Sequence, residues 1–306
     1  MATRTPLFNR VQPGGVYTIS DLKEHPGDIW FVDSGVGVNG AGYGQNPDAP
    51  CATLDYAVGL CTANNGDVIY VMPGHAETIV ADSGVDIDVA GVKVIGLGWG
   101  ASRPTFTFTT ATTADFKLAA ASVHVENILF LGGIDALTGP IEISGADCKL
   151  INCEYRDVTG QATDVLTTVN NADRLLIDGF RLIGAAAAGG NSGIFLDGCD
   201  DAEIRNFYLY GNFAVGAIDL RTTPSSRVNI HDGKIWTANA ADIAIVDTIT
   251  TSTGWIGPNL QIMLTDNAAN ITEAVTGATF QLVDPVYVVN LVNEKAMLIN
   301  WTASTD

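Results

Sequence analysis

Basic side chains are scarce in this chain. Its 306 residues include 15 lysines and arginines against 34 aspartates and glutamates, and the formal net charge is −19 at pH 7. Proteins bind the phosphate backbone of DNA and RNA through clustered Lys and Arg, and the sequence contains no basic stripe of that kind. We therefore expect no nucleic-acid partner.

Long apolar runs are missing as well. No segment approaches the roughly 20 consecutive apolar residues of a membrane-spanning helix. The first fifteen residues, MATRTPLFNRVQPGG, lack the apolar stretch of a signal peptide. The cysteines are odd in number and lack zinc-type spacing: Cys51, Cys61, Cys148, Cys153 and Cys199. We expect no membrane partner and reduced cysteines in a reducing cytosol.

Motifs for catalysis and cofactor binding are few. The four histidines show no paired metal-ligand spacing, and neither a Gly-x-Ser-x-Gly motif nor a P-loop occurs. Gly35, Gly37 and Gly40 form a literal Gly-x-Gly-x-x-Gly. A dinucleotide fingerprint opens directly into a helix, whereas a loop with Pro47 and Pro50 follows here. We expect neither a cofactor nor a metal.

A repeat is the main positive feature of the sequence. Six segments resemble one another: VKVIGL (92–97), VHVENI (123–128), CKLINC (148–153), RLLIDG (174–179), AEIRNF (202–207) and VNIHDG (228–233). The third residue is a large aliphatic in each: Val94, Val125, Leu150, Leu176, Ile204 and Ile230. These aliphatics recur at nearly even intervals, and such self-similarity indicates a solenoid.

The spacing and composition favour one kind of solenoid. Each period contains two or three short strands separated by Gly, Asn or Asp, and 47 % of the residues are hydrophobic. A propeller blade needs about 40 residues or more, and every interval of this repeat is shorter than that. The sequence therefore predicts an all-β fold, a parallel β-helix of about seven or eight coils.

The repeat divides the chain into three parts. Residues 29–264 are predicted to form the β-helix, and the segment 52–64 a helix that caps its first coil, with Leu54, Ala57, Val58 and Cys61 on one face. Residues 1–28 are either a loosely ordered terminus or an arm that docks on a partner. Residues 265–306 depart from the repeat. We interpret them as an oligomerisation segment, with a C-terminal cap as the alternative.

A column of turn residues has two interpretations. The fifth residue of each repeat is Gly, Asn or Asp: Gly96, Asn127, Asn152, Asp178, Asn206 and Asp232. Asp178 and Asp232, two coils apart, would lie about 9–10 Å apart, at the upper end of the carboxyl separation of inverting glycosidases. Residues that tolerate the left-handed conformation explain the whole column better. We therefore predict a structural role.

Two further groups are candidates for glycan chemistry. Asp197, Asp200, Asp201 and Asp219 are weak candidates for catalysis, and a solvated turn is the favoured alternative because the chain is rich in carboxylates. The aromatic residues Tyr208, Tyr210 and Trp236 are possible glycan contacts.

The segment around the predicted cap resembles a known fold family. Ala52-Thr53-Leu54, the strand beginning at Gly66-Asp67 and the turn Pro73-Gly74 are similar to the start of pectate-lyase-like proteins. The resemblance covers residues 29–264 and implies a right-handed parallel β-helix. That fold supports lyases, hydrolases, adhesins and inert scaffolds, so the resemblance implies no single activity.

A narrower resemblance spans almost the whole chain. The strings FVDSG, ATLDYAVGLCTANNGD and VAGVKVIGLGWGASRPTFTFTT resemble structural proteins of tailed-bacteriophage virions. This resemblance implies a non-enzymatic homotrimer on the capsid surface or near the tail, assembled in the host bacterial cytoplasm. Its partners would be the major capsid protein or other virion proteins, and it brings no catalytic residues. The alternatives are a tail-associated receptor-binding protein that recognises glycans and, third, a polysaccharide depolymerase.

Overall fold

The computed structural model describes residues 10–11, 17–18, 27–169, 171–186, 190–238, 244–265, 275–276, 279–290 and 295–299. Most of the predicted arm, residues 1–28, lies outside these ranges. Within it, β1 (Arg10–Val11) and β2 (Tyr17–Thr18) pair antiparallel.

The described chain winds through three sheets, and each coil adds one strand to every sheet. The first sheet contains β3 (Ile29–Val32), β4 (Val68–Val71), β7 (Lys93–Gly96), β10 (His124–Glu126), β13 (Lys149–Ile151), β16 (Leu176–Asp178), β19 (Glu203–Arg205), β22 (Val228–His231), β25 (Gly254–Ile256) and β28 (Phe280–Leu282). The second contains β5 (Ala76–Ile79), β8 (Thr105–Phe108), β11 (Leu129–Gly132), β14 (Glu154–Asp157), β17 (Arg181–Ile183), β20 (Tyr208–Gly211), β23 (Lys234–Thr237), β26 (Leu260–Leu264), β29 (Val286–Asn290) and β30 (Lys295–Ile299). The third contains β6 (Val85–Asp86), β9 (Phe116–Leu118), β12 (Leu137–Ile143), β15 (Ala162–Thr168), β18 (Gly190–Leu196), β21 (Phe213–Leu220), β24 (Ile245–Asp247) and β27 (Val275–Thr276).

The predicted fold class is confirmed, because these sheets form a parallel β-helix of about eight coils. Apart from β29 with β30, every strand pair within the three sheets is parallel. Side chains alternate between the interior and the outer faces, as the period-two pattern requires. The aliphatics of successive coils stack in one buried row: Val94, Val125, Leu150, Ile177, Ile204 and Ile230. In the fourth coil the stacked residue is therefore Ile177, one position after the predicted Leu176.

The interior is apolar and closely packed. Phe116 lies edge-to-face against Phe106 and Phe130, with ring centroids 5.3 and 5.1 Å apart, and Phe108 stacks on Phe130 at 6.2 Å. All four rings are fully buried. Edge-to-face and offset-stacked pairs add about 0.5–1.5 kcal/mol each to the free energy gained from burial. The early coils are thus stabilised by an aromatic cluster as well as by the backbone hydrogen bonds between their strands.

The helix α1 (Leu54–Val58) is shorter than the predicted segment 52–64. Its buried face contains Leu54, Ala57 and Val58, as the apolar spacing predicts. The chain leaves the helix at Gly59, and the backbone N–H of Thr62 donates to the buried Asp67 carboxylate at 2.7 Å. The N–H groups of Leu60 and Cys61 bond to the carbonyl oxygens three residues back, of Ala57 and Val58, so the last turn tightens and the α-helix ends early. A 3-10 turn, Gly100–Ser102, completes the described helical elements.

Helix α1 packs beside the first strands of the β-helix. The backbone N–H of Leu54 donates to the Glu77 carboxylate at 3.0 Å, and the N–H of Asp86 donates to the Asp55 carboxylate at 3.2 Å. Glu77 and Asp86 lie on β5 and β6, which are the N-terminal edge strands of the second and third sheets. The helix therefore occupies the open end of the coils, where a solenoid needs a cap.

The β-helix extends beyond the predicted boundary at residue 264. Strand β28 pairs in parallel with β25, β29 with β26 and β27 with β24, so one more coil follows. The departure from the repeat begins at β30, which pairs antiparallel with β29. The sequence conceals this last coil because Pro285 precedes Val288 at the position where the preceding coil has the turn residue Asn259.

Candidate functional site

A groove crosses the outer face of the first sheet towards its C-terminal end. Two outward rows line it. Each row contains one residue from each of four successive coils, and the same number of residues separates one member from the next. One row is Asp201, Arg227, Thr253 and Thr279; the other is Glu203, Asn229, Trp255 and Gln281. Its volume is about 690 Å³, within the range of about 300–1,000 Å³ that ligand pockets occupy.

The floor of the groove depends on Gly254. A Cβ atom built there would lie 1.9 Å from the carbonyl oxygen of Val228, so no other residue fits without moving the backbone. Glycine lets β25 approach β22 closely and presents the next side chain, Trp255, outward. Trp255 is 58 % exposed, which is unusual for an indole in a strand.

Ion pairs organise the polar rim of the groove. Arg227 holds Asp201 through two hydrogen bonds, Nε to Oδ1 at 2.6 Å and Nη2 to Oδ2 at 2.7 Å. This bidentate pairing lowers the pKa of the Asp201 carboxyl. Glu203 accepts from Arg205 at 2.8 Å and lies 3.3 Å from the His231 ring nitrogen. The carboxylates are thus paired and fixed in position around the exposed indole.

A second cluster of charges lies on the third sheet. Arg221 donates from Nη1 to Asp219 at 2.5 Å and from Nη2 to Asp164 at 2.7 Å, while its guanidinium stacks 4.2 Å above the Phe195 ring. Ser192 Oγ donates to the other oxygen of Asp164. Burial raises the pKa of Asp219 to about 6, and the nearby Arg221 limits the rise. Asp219 Oδ1 is buried and has no hydrogen-bond partner among the described residues.

The four predicted catalytic carboxylates do not converge on one point. Asp219 belongs to the cluster on the third sheet, and Asp197 follows the end of β18 on the same sheet. Asp200 and Asp201 lie in the turn that leads to the first sheet, where Asp200 accepts from the backbone N–H of Ser226 at 2.7 Å. Only Asp201 lines the groove.

The three predicted glycan contacts lie together, on a different face from the groove. Tyr208 and Tyr210 are on β20 and Trp236 is on β23, all on the outer side of the second sheet. The Tyr210 and Trp236 rings meet edge-to-face at 5.8 Å, and the Arg181 guanidinium lies 5.2 Å from the Tyr208 ring centroid. Trp255, which the sequence interpretation missed, is the aromatic residue of the groove.

The turn column is left-handed at four of its six positions. The φ angles of Asn127, Asn152, Asn206 and Asp232 lie between 51° and 59°. The other two positions, Gly96 and Asp178, are not left-handed. Gly96 is an ordinary strand residue, and Asp178 ends β16 so that Gly179, with φ of 74°, takes the left-handed position.

Side chains of this column bond from coil to coil. The Asn127 amide donates to the Gly96 carbonyl oxygen at 2.7 Å. The Asn206 amide donates to the Asp178 carboxylate and the Asn259 amide to the Asp232 carboxylate, both at 2.8 Å. Asn259, with φ of 57°, therefore extends the column by one coil.

Across the described ranges, no His, Cys, Asp and Glu side chains cluster in groups of three or more that would hold a metal ion. None of the helices within those ranges is long and apolar enough to cross a membrane.

Comparisons with known proteins identify the fold. No family model matches the chain, and no curated protein matches it. A solved structure of a rhamnogalacturonan lyase is similar, with a TM-score of 0.50 and 13 % sequence identity over 89 % of this chain and 90 % of the lyase chain. At that identity the likeness supports the pectate-lyase-like parallel β-helix and nothing about activity.

Proposed function

We propose that this chain is a non-enzymatic structural protein of a tailed-bacteriophage virion, a trimer that decorates the capsid surface after assembly in the host cytoplasm. The resemblance of its sequence motifs to such proteins supports the location and the trimer. The continuity of the three backbone ladders supports the mechanical role.

That continuity is the observation that carries the proposal. Each coil donates backbone hydrogen bonds to its neighbours in all three sheets, from β3 at one end to β29 at the other. Bending such a rod requires many ladder bonds to lengthen together. The apolar interior and the coil-to-coil bonds of Asn127, Asn206 and Asn259 oppose sliding between coils. A stiff, acidic rod is suited to reinforce a particle surface.

The test is to locate the protein on purified particles. We expect it to band with the particles in a density gradient, in a copy number divisible by three, and to give density on the head in cryo-electron microscopy. Replacing residues 1–26 with a Gly-Ser segment of equal length, which keeps Gly27 and Asp28 bonded to the first coil, is expected to leave a folded protein that no longer joins the particle. Absence from particles, or an unchanged copy number in that variant, would contradict the proposal.

A second candidate function has its own observation, the groove around Trp255. A sugar ring presents C–H groups on its faces and hydroxyls on its edges, and the groove offers an exposed indole beside amide, carboxylate and guanidinium groups. These features suit recognition of a glycan chain, as a tail-associated receptor-binding protein requires. A depolymerase would use the same chemistry of recognition.

Matched tryptophan variants test this candidate. Binding to host surface polysaccharide is measured by calorimetry for the wild type, Trp255→Ala and the control Trp99→Ala, whose side chain is 87 % exposed and lies outside the groove. We expect at least a tenfold loss of affinity for Trp255→Ala and none for the control. New reducing ends or unsaturated products in the mixture would favour the depolymerase instead. Equal binding by all three proteins would exclude the groove as the glycan-binding site.

A further inference from the structure

An apolar row runs along the outer face of the second sheet. Strand pairing places five residues of successive coils in line, and we call them the apolar stripe: Ile183, Tyr210, Trp236, Met263 and Val289. Each belongs to an outward-facing position and is half-buried. With about 4.8 Å between strands, the stripe is about 19 Å long.

Polar and aromatic residues flank the stripe. The neighbouring outward row on the same strands contains Arg181, Tyr208, Lys234, Gln261 and Tyr287. Tyr287 is 48 % exposed, and the Arg181 guanidinium lies against the Tyr208 ring. An apolar centre beside a rim of long polar and aromatic side chains is the usual composition of a protein–protein interface.

The outer rows of the other two sheets mix charged residues with apolar ones. One row of the first sheet contains, in order, Lys93, His124, Lys149, Leu176 and Glu203, and the row beside it contains Ile95, Glu126, Ile151, Asp178, Arg205 and His231. One row of the third sheet contains, in order, Asp86, Lys117, Glu142, Thr167, Phe195 and the buried Asp219. Charged residues interrupt each of these rows, whereas the apolar stripe continues over five coils without a charge, and contiguous apolar patches mark interaction sites.

We infer that the apolar stripe is the surface through which copies of this chain associate, side by side, around an axis parallel to the β-helix. Beside such an axis each residue approaches the same residue of the other copies, at the same height. A charged row would face its own sign there, with a repulsion that the apolar stripe avoids. The partner is a second copy of the chain. That the oligomer has three subunits rests on the proposed function, whereas the choice of the contact surface does not.

The stripe has a natural limit within the sheet. Arg156 occupies the same outward row one coil before Ile183, and it is exposed. Arg156 is bonded to Glu154 at 2.7 Å, and an axial contact there would have to desolvate this ion pair, so the contact is expected to begin after that coil. Copies would then be joined along their C-terminal half, from Ile183 to Val289, and stand apart at their capped ends.

Sedimentation velocity on the full chain tests the inference. The wild type is expected to have a mass of two or more times 32.1 kDa, and Trp236→Glu a mass of 32.1 kDa. The control is Thr107→Glu, in the same outward row but outside the stripe. We expect it to retain the wild-type mass. A monomeric wild type, or a Trp236→Glu variant with unchanged mass and circular dichroism, would overturn the inference.

Crosslinking covers the case in which Trp236→Glu fails to fold. Met263→Cys places a thiol on the stripe, whereas four of the five native cysteines are buried and Cys61 is half-buried. Mild oxidation is expected to link copies of Met263→Cys and not the wild type, and a variant that stays unlinked would contradict the inference. Particle association is a separate measurement: a stripe-linked oligomer absent from virions would refute the proposed function alone.

Discussion

The side-chain amide of Asn206 donates a hydrogen bond of 2.8 Å to the carboxylate of Asp178, which lies one coil away. Asn206 makes this bond from a left-handed backbone conformation, with φ of 54°. Asn is among the residues that adopt this conformation readily. The residue thus both turns the chain and ties two coils together.

Substitutions of Asn206 separate these two contributions. Asn206→Ala loses the hydrogen bond and puts in the left-handed region a residue that tolerates it less well than Asn, so we expect a loss of about 2 kcal/mol in the free energy of unfolding. Asn206→Gly loses only the bond, and we expect about 1 kcal/mol. Thermal unfolding followed by circular dichroism measures both. Equal losses would show that the backbone conformation contributes nothing.

Arg221 is predicted to contribute most to the free energy of unfolding at neutral pH. It neutralises the buried carboxylate of Asp219, so Arg221→Gln leaves that charge unpaired. Because the carboxyl can take up a proton instead, we expect the charge-dependent loss at pH 7 to be about 1–2 kcal/mol. Because burial already raises the pKa of Asp219 to about 6, the carboxyl takes up a proton as the pH falls below that value, and the loss should shrink at pH 5.

The control for Arg221 removes both charges. Asp219→Asn combined with Arg221→Gln is expected to be more stable at pH 7 than Arg221→Gln alone and to lack its pH dependence. Urea unfolding at pH 7 and pH 5 measures both variants. An Arg221→Gln variant equally destabilised at the two pH values would contradict the electrostatic explanation.

Asp115 is predicted to lower stability at neutral pH. Burial raises the pKa of its carboxyl to about 6, above the ordinary value of an aspartate, because the interior disfavours the charged form. The folded chain therefore binds the proton more tightly than the unfolded chain. The contribution of Asp115 to stability is therefore highest below about pH 4 and falls as the pH rises through 6.

Asp115→Asn should remove that pH dependence. The new amide oxygen can still accept from the Ser83 backbone N–H, and we expect a gain of about 2–3 kcal/mol at pH 7 with none at pH 4. The control is Asp48→Asn, which removes an exposed carboxylate. A gain of the same size at pH 4 and pH 7 would argue against proton linkage.

The cysteines are predicted to be inert in the folded protein. All five are free thiols, and burial raises the pKa of Cys148 to about 11 and those of Cys61, Cys153 and Cys199 to about 12. The thiolate is the reactive form, so a thiol reagent at pH 8 should react slowly with the folded chain and rapidly with five thiols in denaturant. Rapid reaction of several thiols without denaturant would contradict the buried placement.

The β-helix could be predicted because each coil repeats residues of the same type where the core and the turn need them. Buried aliphatics such as Val125 and Ile204 recur at one step per coil, and Asn127 and Asn206 mark the same turn. In the fourth coil the sequence is ambiguous by one position, because Leu175, Leu176 and Ile177 are consecutive aliphatics and only strand pairing identifies Ile177 as the stacked residue.

The groove is harder to find in the sequence for a related reason. Trp255 and Gln281 follow Glu203 and Asn229 at one constant step, but the recognisable repeat ends at residue 233. Continuing that step from Asn229 places Trp255 on the outer face. The ion pairs of Arg221 and Arg227 could not be predicted, since each joins residues whose proximity depends on how the outer faces of adjacent coils align.

The constant step through the groove has a consequence for how such a chain changes length. Residues 203, 229, 255 and 281 occupy equivalent places, so an in-frame duplication or deletion of one whole step between them would rejoin equivalent backbone positions. Each event would move the C-terminal end by one strand spacing, about 4.8 Å, relative to helix α1. Insertion or deletion of whole coils can therefore change the length of this β-helix in fixed increments.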